Sequence, residues 1–311
     1  MSRGVTLPES RKAGRRRFIL ATQTTRSPWP PPFGQFKELL MFRIRRIFDD
    51  HLPANQMAIA RVQAILREQF PLLREAVIQE IPERLRNPMK YQFRATLFVA
   101  EGAKGQVKGF ALMFYEPELD FCYLDYLATA KDVTDRGIGG ALYERVRQEA
   151  IRLQVIGLFF ECLPDDPALC SKPEFVASNA ARLRFYERYG ARPIVNTAYE
   201  TPTSSDSLDP PYLVFDDLGR NYGLPREKAK LIVRTMLERE YGHICSKEYI
   251  EKVVTSFRDP IVRLREPKYR AKEVPAASIP KIPKDLQIAL VINDRHGVHE
   301  VRDRGYVEAP V

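Results

Sequence analysis

A strand-like apolar segment leads directly into a glycine-rich turn and then into an amphipathic helical pattern. The segment FCYLDYLATA (121–130) precedes the turn TDRGIGGAL (134–142), which contains three glycines within four residues. Each glycine weakens the start of a helix by about 1 kcal/mol relative to alanine. Either the turn requires backbone conformations that only glycine tolerates, or a ligand approaches the backbone closely. The exposed N–H groups at such a helix start are suited to binding an anion.

Hydrophobic periodicity predicts an α/β domain for most of the chain. Strands are predicted at 39–49, 94–101, 106–116, 121–130, 155–163, 192–201 and 211–218, and helices at 53–70, 73–86, 138–153 and 178–190. Pro82 is expected to interrupt or close the second helix, and Ser178 or Asn179 to cap the fourth. Residues 225–259 predict two further helices, which indicate a small helical extension after the domain.

The charge distribution separates a tail from the body of the chain. The net charge is +9, and residues 1–46 carry eleven Lys and Arg against two Glu, so the remainder is balanced. We predict a basic disordered tail at 1–36, an α/β domain at 37–220, a helical extension at 221–264, a Pro-rich linker at 265–284 and the start of a further segment at 285–311. Met41 is an alternative to Met1 as the translation start. The tail can contact nucleic acid only non-specifically, and a solvated tail is the simpler interpretation.

Several classes of protein are not expected from the composition. No apolar stretch approaches the roughly 18 residues of a membrane span, and no signal-peptide core is evident, so a cytoplasmic protein is predicted. The four cysteines form no CxxC pair and no disulfide framework. His296 and His299 have no third partner, so no metal site is predicted.

Two motifs resemble those of the GNAT (GCN5-related) N-acetyltransferases. The turn that begins at Thr134 is similar to the family's acetyl-CoA pyrophosphate loop, Q/R-x-x-G-x-G/A, with Thr134 in place of the leading Gln or Arg. The segment NAARLRFYERYGA (179–191) is similar to N-x-x-A-x-x-x-Y-x-x-x-G-F. Asn179, Tyr186 and Gly190 are in register, while the fourth and last positions differ. The resemblance covers roughly residues 39–218.

The resemblance implies a GNAT fold: a mixed central sheet, flanked by helices, with a V-shaped opening between the fourth and fifth strands. Acetyl-CoA would lie in this opening as a co-substrate, without a metal. Main-chain groups of Leu127 and Thr129 would bind pantetheine. The residues implied to hold the pyrophosphate are Arg136, Gly137, Ile138, Gly139 and Gly140. Asn179 would contact the pantetheine arm or cap its helix, and Tyr186 would bind the cofactor and act as general acid for the coenzyme A thiolate.

The base that removes a proton from the acceptor amine is left open between two carboxylates and a water chain. An alkyl amine has a pKa of about 10.4, so it needs such help at neutral pH. Asp125 has the same strand parity as Leu127 and Thr129, which predicts that its side chain lies on their face. Glu161, near the end of the fifth predicted strand, is the competing candidate.

The loop after Glu161 bears on the acceptor. Asp165, Asp166 and Glu174 form either an acidic rim that attracts a cationic amine or an ordinary solvated loop.

These features predict an acetyl-CoA-dependent N-acetyltransferase. The acceptor would be a primary amine, namely a small amine, a polyamine or a protein lysine, attacking directly in a ternary complex. The alternative is a catalytically silent acyl-CoA-binding domain that regulates a downstream domain. The segment at 293–311 resembles the opening of histone deacetylase and acetylpolyamine amidohydrolase domains, which favours interpreting the chain as the front of an acetyltransferase–deacetylase fusion.

Overall fold

The computed structural model describes residues 42–131, 137–199 and 210–269, together with two short strands at 292–294 and 297–299. The chain divides into residues 1–39 and residues 40–311, and everything described belongs to the second unit. The predicted basic tail, Thr134 and Arg136 of the glycine turn, and most of the predicted linker lie outside the described residues.

The described elements follow the predicted order. The strands are β1 Arg43–Ile47, β2 Arg94–Glu101, β3 Val107–Glu116, β4 Phe121–Thr129, β5 Leu158–Cys162, β6 Arg192–Pro193 and β7 Tyr212–Asp216, with a separate β8 Ile292–Asp294 and β9 Gly297–His299 hairpin. The helices are α1 Pro53–Gln69, α2 Glu75–Arg86, α3 Pro88–Tyr91, α4 Ile138–Arg152, α5 Pro173–Glu187, α6 Arg226–Tyr241 and α7 Lys247–Ser256.

Strands β1 to β7 form one mixed sheet in the order β1-β2-β3-β4-β5-β7-β6. Its pairs are antiparallel except for β4 and β5, which are parallel. Only two residue pairs join β4 to β5, Cys122 with Leu158 and Tyr123 with Phe159. Beyond them β4 continues to Thr129 without a pair on β5. We call the space between the two strands beyond Tyr123 the β4–β5 gap.

Helices cover both faces of the sheet. Helices α1, α2, α6 and α7 pack on one face, here called the first face, around buried residues such as Phe110 and Tyr123. Helices α4 and α5 pack on the other, the second face, around residues such as Leu142 and Phe160. The sheet order and this layering confirm the predicted mixed α/β fold with an opening between the fourth and fifth strands.

The two C-terminal helices are part of the main hydrophobic core. Ile232, Val233 and Met236 of α6 and Val253 of α7 are fully buried in the same cluster as residues of α1 and α2. The predicted helical extension therefore shares the core of the sheet domain and closes its first face.

Helix α2 continues through Pro82, contrary to the prediction that this residue interrupts or closes it. Proline has no N–H, so it cannot donate to the carbonyl of Ile78 four residues earlier. The side chain of Gln63 on α1 replaces that donor, because its Nε2 lies 3.0 Å from the Ile78 oxygen. A tertiary contact thus satisfies the group that the proline leaves unpaired.

Helix α5 begins at Pro173, five residues before the predicted cap Ser178. Proline is favoured at the first turn of a helix, where its missing N–H has no helical acceptor and its φ angle is already suitable. Asn179 therefore lies in the interior of the helix, and the prediction that Ser178 or Asn179 caps it is wrong.

The contact between Gln63 and Ile78 predicts a specific non-additivity. Gln63→Ala leaves the Ile78 carbonyl without its side-chain donor and should lower the free energy of unfolding by about 1–2 kcal/mol. In a Pro82→Ala background the new N–H at position 82 can bond Ile78, so the same Gln63 substitution should cost less. A double-mutant cycle by urea denaturation measures this difference. Equal costs in both backgrounds would contradict the proposed replacement of the donor.

Candidate active site

Strand β4 contains a β-bulge at Asp125, just after it separates from β5. Leu124 pairs with Met113 and Tyr126 pairs with Leu112, so no residue of β3 is opposite Asp125. The extra residue of a bulge reverses the alternation of the strand beyond it. The orientation of the half of β4 that borders the gap is therefore set by this bulge.

The bulge decides which main-chain groups of β4 face the gap. Before it, the N–H of Cys122 donates towards β5 at 3.1 Å; beyond it, the N–H of Ala130 donates to a β3 carbonyl at 2.9 Å. Main-chain groups of successive strand residues point alternately to the two sides of the strand. Because the N–H of Ala130 points to β3, the main-chain groups of Leu127 and Thr129 point into the gap. The Thr129 carbonyl accepts a hydrogen bond from Gln69 Nε2 at 2.9 Å. An unpaired strand edge of this kind can bind an extended ligand as an added strand.

The side chains of Asp125 and Leu127 lie on opposite faces of the sheet. Tyr126 packs against the core of the first face, whereas Leu127 packs against the core of the second. The Cγ2 atoms of Thr129 and Ile138 both border the side-chain position of Gly109, and Ile138 belongs to the core of the second face. Asp125 instead lies among charged residues of the first face, described below. The predicted shared face of Asp125, Leu127 and Thr129 is therefore wrong, because simple parity assumes a strand without a bulge.

The start of helix α4 explains part of the glycine pattern. Gly137 has a φ angle of +116°, a left-handed conformation that residues with a side chain rarely adopt. The first bond of the helix runs from the N–H of Ala141 to the carbonyl of Gly137 at 2.9 Å. The N–H groups of Ile138, Gly139 and Gly140 precede it and have no acceptor within the helix. Among the described residues, a Cβ atom at Gly137 would meet no atom within 4 Å.

The other two glycines have different surroundings. A Cβ atom at Gly140 would lie 3.3 Å from Tyr189 Oη, so this glycine permits close packing between α4 and the end of α5. A Cβ atom at Gly139 would make only an ordinary contact, 3.9 Å from Leu127 Cδ2. The fold thus accounts for Gly137 and Gly140 but does not require glycine at position 139.

Glu161, on β5 beyond its last pair with β4, accepts hydrogen bonds from two tyrosines. Tyr199 Oη donates to its Oε1, and Tyr241 Oη donates to its Oε2 at 3.0 Å. Tyr123 Oη lies 2.9 Å from Tyr241 Oη and extends the network to the point where β4 and β5 separate. Burial, and then the charge of Glu161, raise the pKa of both Tyr123 and Tyr241 well above their usual value, so these two phenols stay protonated.

Asp125 is held in a different electrostatic environment. Burial raises its pKa well above the ordinary value, and the negative charges of Glu240 and Glu161 act in the same direction. Arg84 opposes this shift, but its Nη1 is paired with Glu240 at 2.7 Å. The surroundings of Asp125 therefore make its ionised form less favourable than that of an ordinary aspartate.

Tyr186 lies on the second face, opposite the carboxylates. Its ring is 4.4 Å from that of Phe160 and 4.9 Å from that of Tyr143, measured between centroids. Burial raises the pKa of Tyr186 far above its usual range, and the electrostatic interaction with Cys162 acts in the same direction. The hydroxyl therefore keeps its proton and can act as a hydrogen-bond donor.

Asn179 hydrogen-bonds the loop between β5 and α5. It is buried, and its Nδ2 donates to the Pro164 carbonyl at 2.9 Å and lies 3.8 Å from Cys170 Sγ. The structure thus places this amide against the loop that leads into its own helix.

The loop residue Asp165 is buried and neutralised, so it does not form part of an acidic rim. It accepts hydrogen bonds from Arg265 Nη1 at 2.8 Å, from Lys268 Nζ at 3.1 Å and from Tyr269 Oη. These partners belong to residues 264–269, which we call the C-terminal strap. The alternative interpretation, a loop satisfied by local partners, also fits Asp166, whose carboxylate accepts the N–H of Ala168 at 2.9 Å.

The C-terminal strap holds the end of α5 and the loop that leads into it. Beyond Asp165, which precedes the helix, the strap donates its main-chain N–H groups at Lys268 and Tyr269 to Glu187 at the helix end. It also lies along β6, where the N–H of Arg265 donates to the Pro193 carbonyl at 2.8 Å. The strap therefore fixes the helix that carries Tyr186, and it occupies the edge beside β6, which is much shorter than the strand predicted there.

Sequence reasoning missed four residues that surround the two carboxylates. They are Arg84, Tyr199, Glu240 and Tyr241. Each belongs to an element distant in sequence from β4 and β5, and none lies in a motif, so no local pattern signals their role.

Within the described ranges, no group of three or more histidine, cysteine, aspartate or glutamate side chains is arranged to hold a metal ion. The described helices include none with the length and apolar character needed to cross a membrane.

The contacts of Asp165 predict a pH-dependent contribution to stability. Burial alone would raise its pKa, but the hydrogen bonds from Tyr269, Lys268 and Arg265 outweigh burial and lower the pKa below its usual value. The stabilisation is therefore present above the unfolded pKa of about 3.9 and is lost as the pH falls through the lower folded value. Asp165→Asn should reduce the free energy of unfolding by about 2 kcal/mol at pH 7.

Urea denaturation of the parent and of Asp165→Asn between pH 7 and pH 3 measures this contribution. The difference in free energy of unfolding between the parent and Asp165→Asn should become smaller towards pH 3. Asp166→Asn, at the exposed neighbouring carboxylate, is the matched control and should change stability much less. A difference that stays constant with pH would show that the charge of Asp165 is not the cause.

Comparison with known proteins gives a family match for the central part of the chain. Residues 59–191 match the sequence model of the acetyltransferase (GNAT) family. A comparison with curated protein sequences gave no significant match.

Three solved structures illustrate the structural similarity. GCN5 from Tetrahymena is 14% identical over 59% of this chain and 100% of its own, with a TM-score of 0.40. An aminoglycoside 6'-N-acetyltransferase complexed with coenzyme A is 18% identical over 55% and 94%, with a TM-score of 0.42. Arabidopsis thaliana NAA60 in complex with acetyl-CoA is 15% identical over 56% and 97%, with a TM-score of 0.40. The family match, together with a seven-stranded mixed sheet in which β4 and β5 are parallel, shows a GNAT-like fold.

Proposed function

We propose that this protein is an acetyl-CoA-dependent N-acetyltransferase that moves an acetyl group to a primary amine by direct attack in a ternary complex. One observation carries the proposal. The β4–β5 gap has the open edge of β4 along one side, and the carboxylate of Glu161 and the hydroxyl-bearing ring of Tyr186 lie on opposite faces of the sheet.

The residues beside the gap suit acetyl-CoA. The main-chain groups of Leu127 and Thr129 offer donors and acceptors to an extended amide-containing arm such as pantetheine. The N–H groups of Ile138, Gly139 and Gly140 at the start of α4 suit its pyrophosphate, because helix starts attract anions. Arg136 is proposed as a further pyrophosphate contact on the sequence motif alone. When bound, acetyl-CoA supplies an activated thioester carbonyl.

Glu161 is the proposed base. It is ionisable, it is oriented by two tyrosine hydroxyls, and it lies on β5 beyond the last pair with β4, beside the gap. Asp125 lies on the same face, but burial and the charges of Glu240 and Glu161 oppose its ionised form, and among the described residues it accepts no tyrosine hydrogen bond like those to Glu161. Asp125 is therefore proposed to shape the site rather than to accept the proton.

Tyr186 is proposed to stabilise the departing sulfur from the second face. Its pKa, raised by burial, lies above the ordinary thiol value of about 8.5, so full proton transfer to a thiolate is unfavourable. Donation of a hydrogen bond needs no such transfer and lowers the energy of the developing negative charge. This refines the general-acid role expected from the sequence.

The proposed acceptors remain those expected from the sequence: a small amine, a polyamine or a protein lysine. An ammonium group is attracted to Glu161 and can lose its proton there before attack. The new C–N bond then forms as the C–S bond breaks. The first amine proton stays on Glu161 until solvent removes it, and the second passes through water from the amide nitrogen to the coenzyme A thiolate.

Coenzyme A release with a panel of primary amines tests the proposal. Glu161→Gln should reduce kcat/KM by about 10²–10⁴-fold, the range expected for loss of a general base. Asp125→Asn should reduce it by much less, and Tyr186→Phe should lower kcat without weakening acetyl-CoA binding. Tight acetyl-CoA binding with no release from the parent for any amine would favour the silent regulatory domain instead. A larger loss in Asp125→Asn than in Glu161→Gln would reverse the assignment of the base.

Gly139 allows cofactor binding to be tested separately from folding. Its Cβ position is not crowded, and alanine is the better helix former, so Gly139→Ala should preserve or raise thermal stability. The added methyl lies beside the N–H groups proposed to bind pyrophosphate and should weaken acetyl-CoA binding by about tenfold, a typical loss of about 1.4 kcal/mol. Titration calorimetry measures it, with Gly102→Ala, in the turn between β2 and β3, as the control. Unchanged affinity in Gly139→Ala would exclude close approach at this glycine.

A further inference from the structure

Helix α6 lies outside the part of the chain that matches the family, yet it reaches the proposed base. The match covers residues 59–191, whereas α6 spans Arg226–Tyr241. Its buried residues Ile232, Val233 and Met236 anchor it on the first face. This anchoring places the last residue of the helix, Tyr241, against β4 and β5 at the point where they separate.

The direction of the hydrogen bonds at Tyr241 follows from chemistry. An ionised carboxylate only accepts, so Tyr241 donates its hydrogen to Glu161 Oε2 over 3.0 Å. Its oxygen is then the acceptor for Tyr123, whose Oη lies 2.9 Å away. Tyr199 donates to the other oxygen, Oε1. The carboxylate of Glu161 is thus held at both oxygens, on one side by a chain of two phenols.

Glu161 needs these donors because its neighbours oppose a negative charge. Two further carboxyl groups, Asp125 and Glu240, lie on the same face, and the negative charges of Asp125 and Glu161 repel each other. Hydrogen bonds to the charged form of a carboxylate favour that form. Arg84 offers less help, because it is paired with Glu240.

We propose that Tyr241 is a positioning residue that keeps Glu161 ionised and oriented towards the β4–β5 gap, so that α6 is a working part of the active site. The proposal rests on the proposed function for its catalytic meaning, while the contact itself is independent of turnover. Tyr123 hydrogen-bonds Tyr241 and reaches Glu161 only through it, so removing the Tyr123 hydroxyl should change the ionisation of Glu161 less.

The Tyr241→Phe variant of the full chain tests the proposal, because it removes one hydroxyl and keeps the ring. Tyr222→Phe is the matched control, since Tyr222 is 85% exposed. In Tyr241→Phe the acid limb of the kcat/KM profile for coenzyme A release should move up by about one pH unit, equivalent to a tenfold change in the ionisation equilibrium. Activity should fall at neutral pH and recover at higher pH, whereas Tyr222→Phe should follow the parent. Loss of activity that is equal at all pH values would indicate a structural role only and overturn the proposal.

A second readout separates this proposal from the proposed function. Proteins labelled with ¹³C at the glutamate carboxyl are titrated by NMR, and Glu161→Gln identifies the signal. The Glu161 titration should move up by about one unit in Tyr241→Phe, by less in Tyr123→Phe and not in Tyr222→Phe. If no amine yields coenzyme A, the proposed function fails while this titration still decides the contact. An unchanged Glu161 titration in Tyr241→Phe overturns the inference even in an active enzyme.

Discussion

Only two residue pairs hold β4 and β5 together, and the candidate site depends on what happens where they end. Up to Tyr123 and Phe159 the sheet is continuous. Beyond them the two strands separate, and main-chain groups that would otherwise bond within the sheet border the gap. The bulge at Asp125 follows at once and turns the groups of Leu127 and Thr129 towards that gap. A continuous β4–β5 ladder would leave no edge of β4 to bind a ligand.

The two faces of the sheet give the proposed chemistry two different environments. On the first face, carboxylates, Arg84 and hydrogen-bonded tyrosines lie close together. On the second face, Tyr186 lies in an aromatic cluster. Proton acceptance and thiolate stabilisation need opposite conditions, a stabilised negative charge and a retained proton. Placing them on opposite faces lets one sheet provide both.

The chain beyond the family match is structurally joined to this site. Helix α6 completes the core of the first face and brings Tyr241 to Glu161. The C-terminal strap binds Glu187 at the end of α5 and Asp165 in the loop before it. The contact of Tyr241 orients the proposed base, and the contacts of the C-terminal strap fix the helix that carries Tyr186. The helical segment is therefore better described as part of the domain than as an appendage to it.

The sequence by itself determined the element order, the mixed α/β class and the glycine turn, because periodicity and glycine content act locally. It also singled out Asp125, Glu161 and Tyr186, since their strand and motif positions are readable from neighbouring residues. Only the tertiary structure decided that α2 passes through Pro82, because the replacement donor Gln63 comes from another helix. It alone revealed the bulge that separates Asp125 from Leu127, since the register of β4 is set by its pairing with β3. The partners of Glu161 were likewise invisible in the sequence, because Tyr199 and Tyr241 meet it through packing across long separations along the chain, and no local pattern records such contacts.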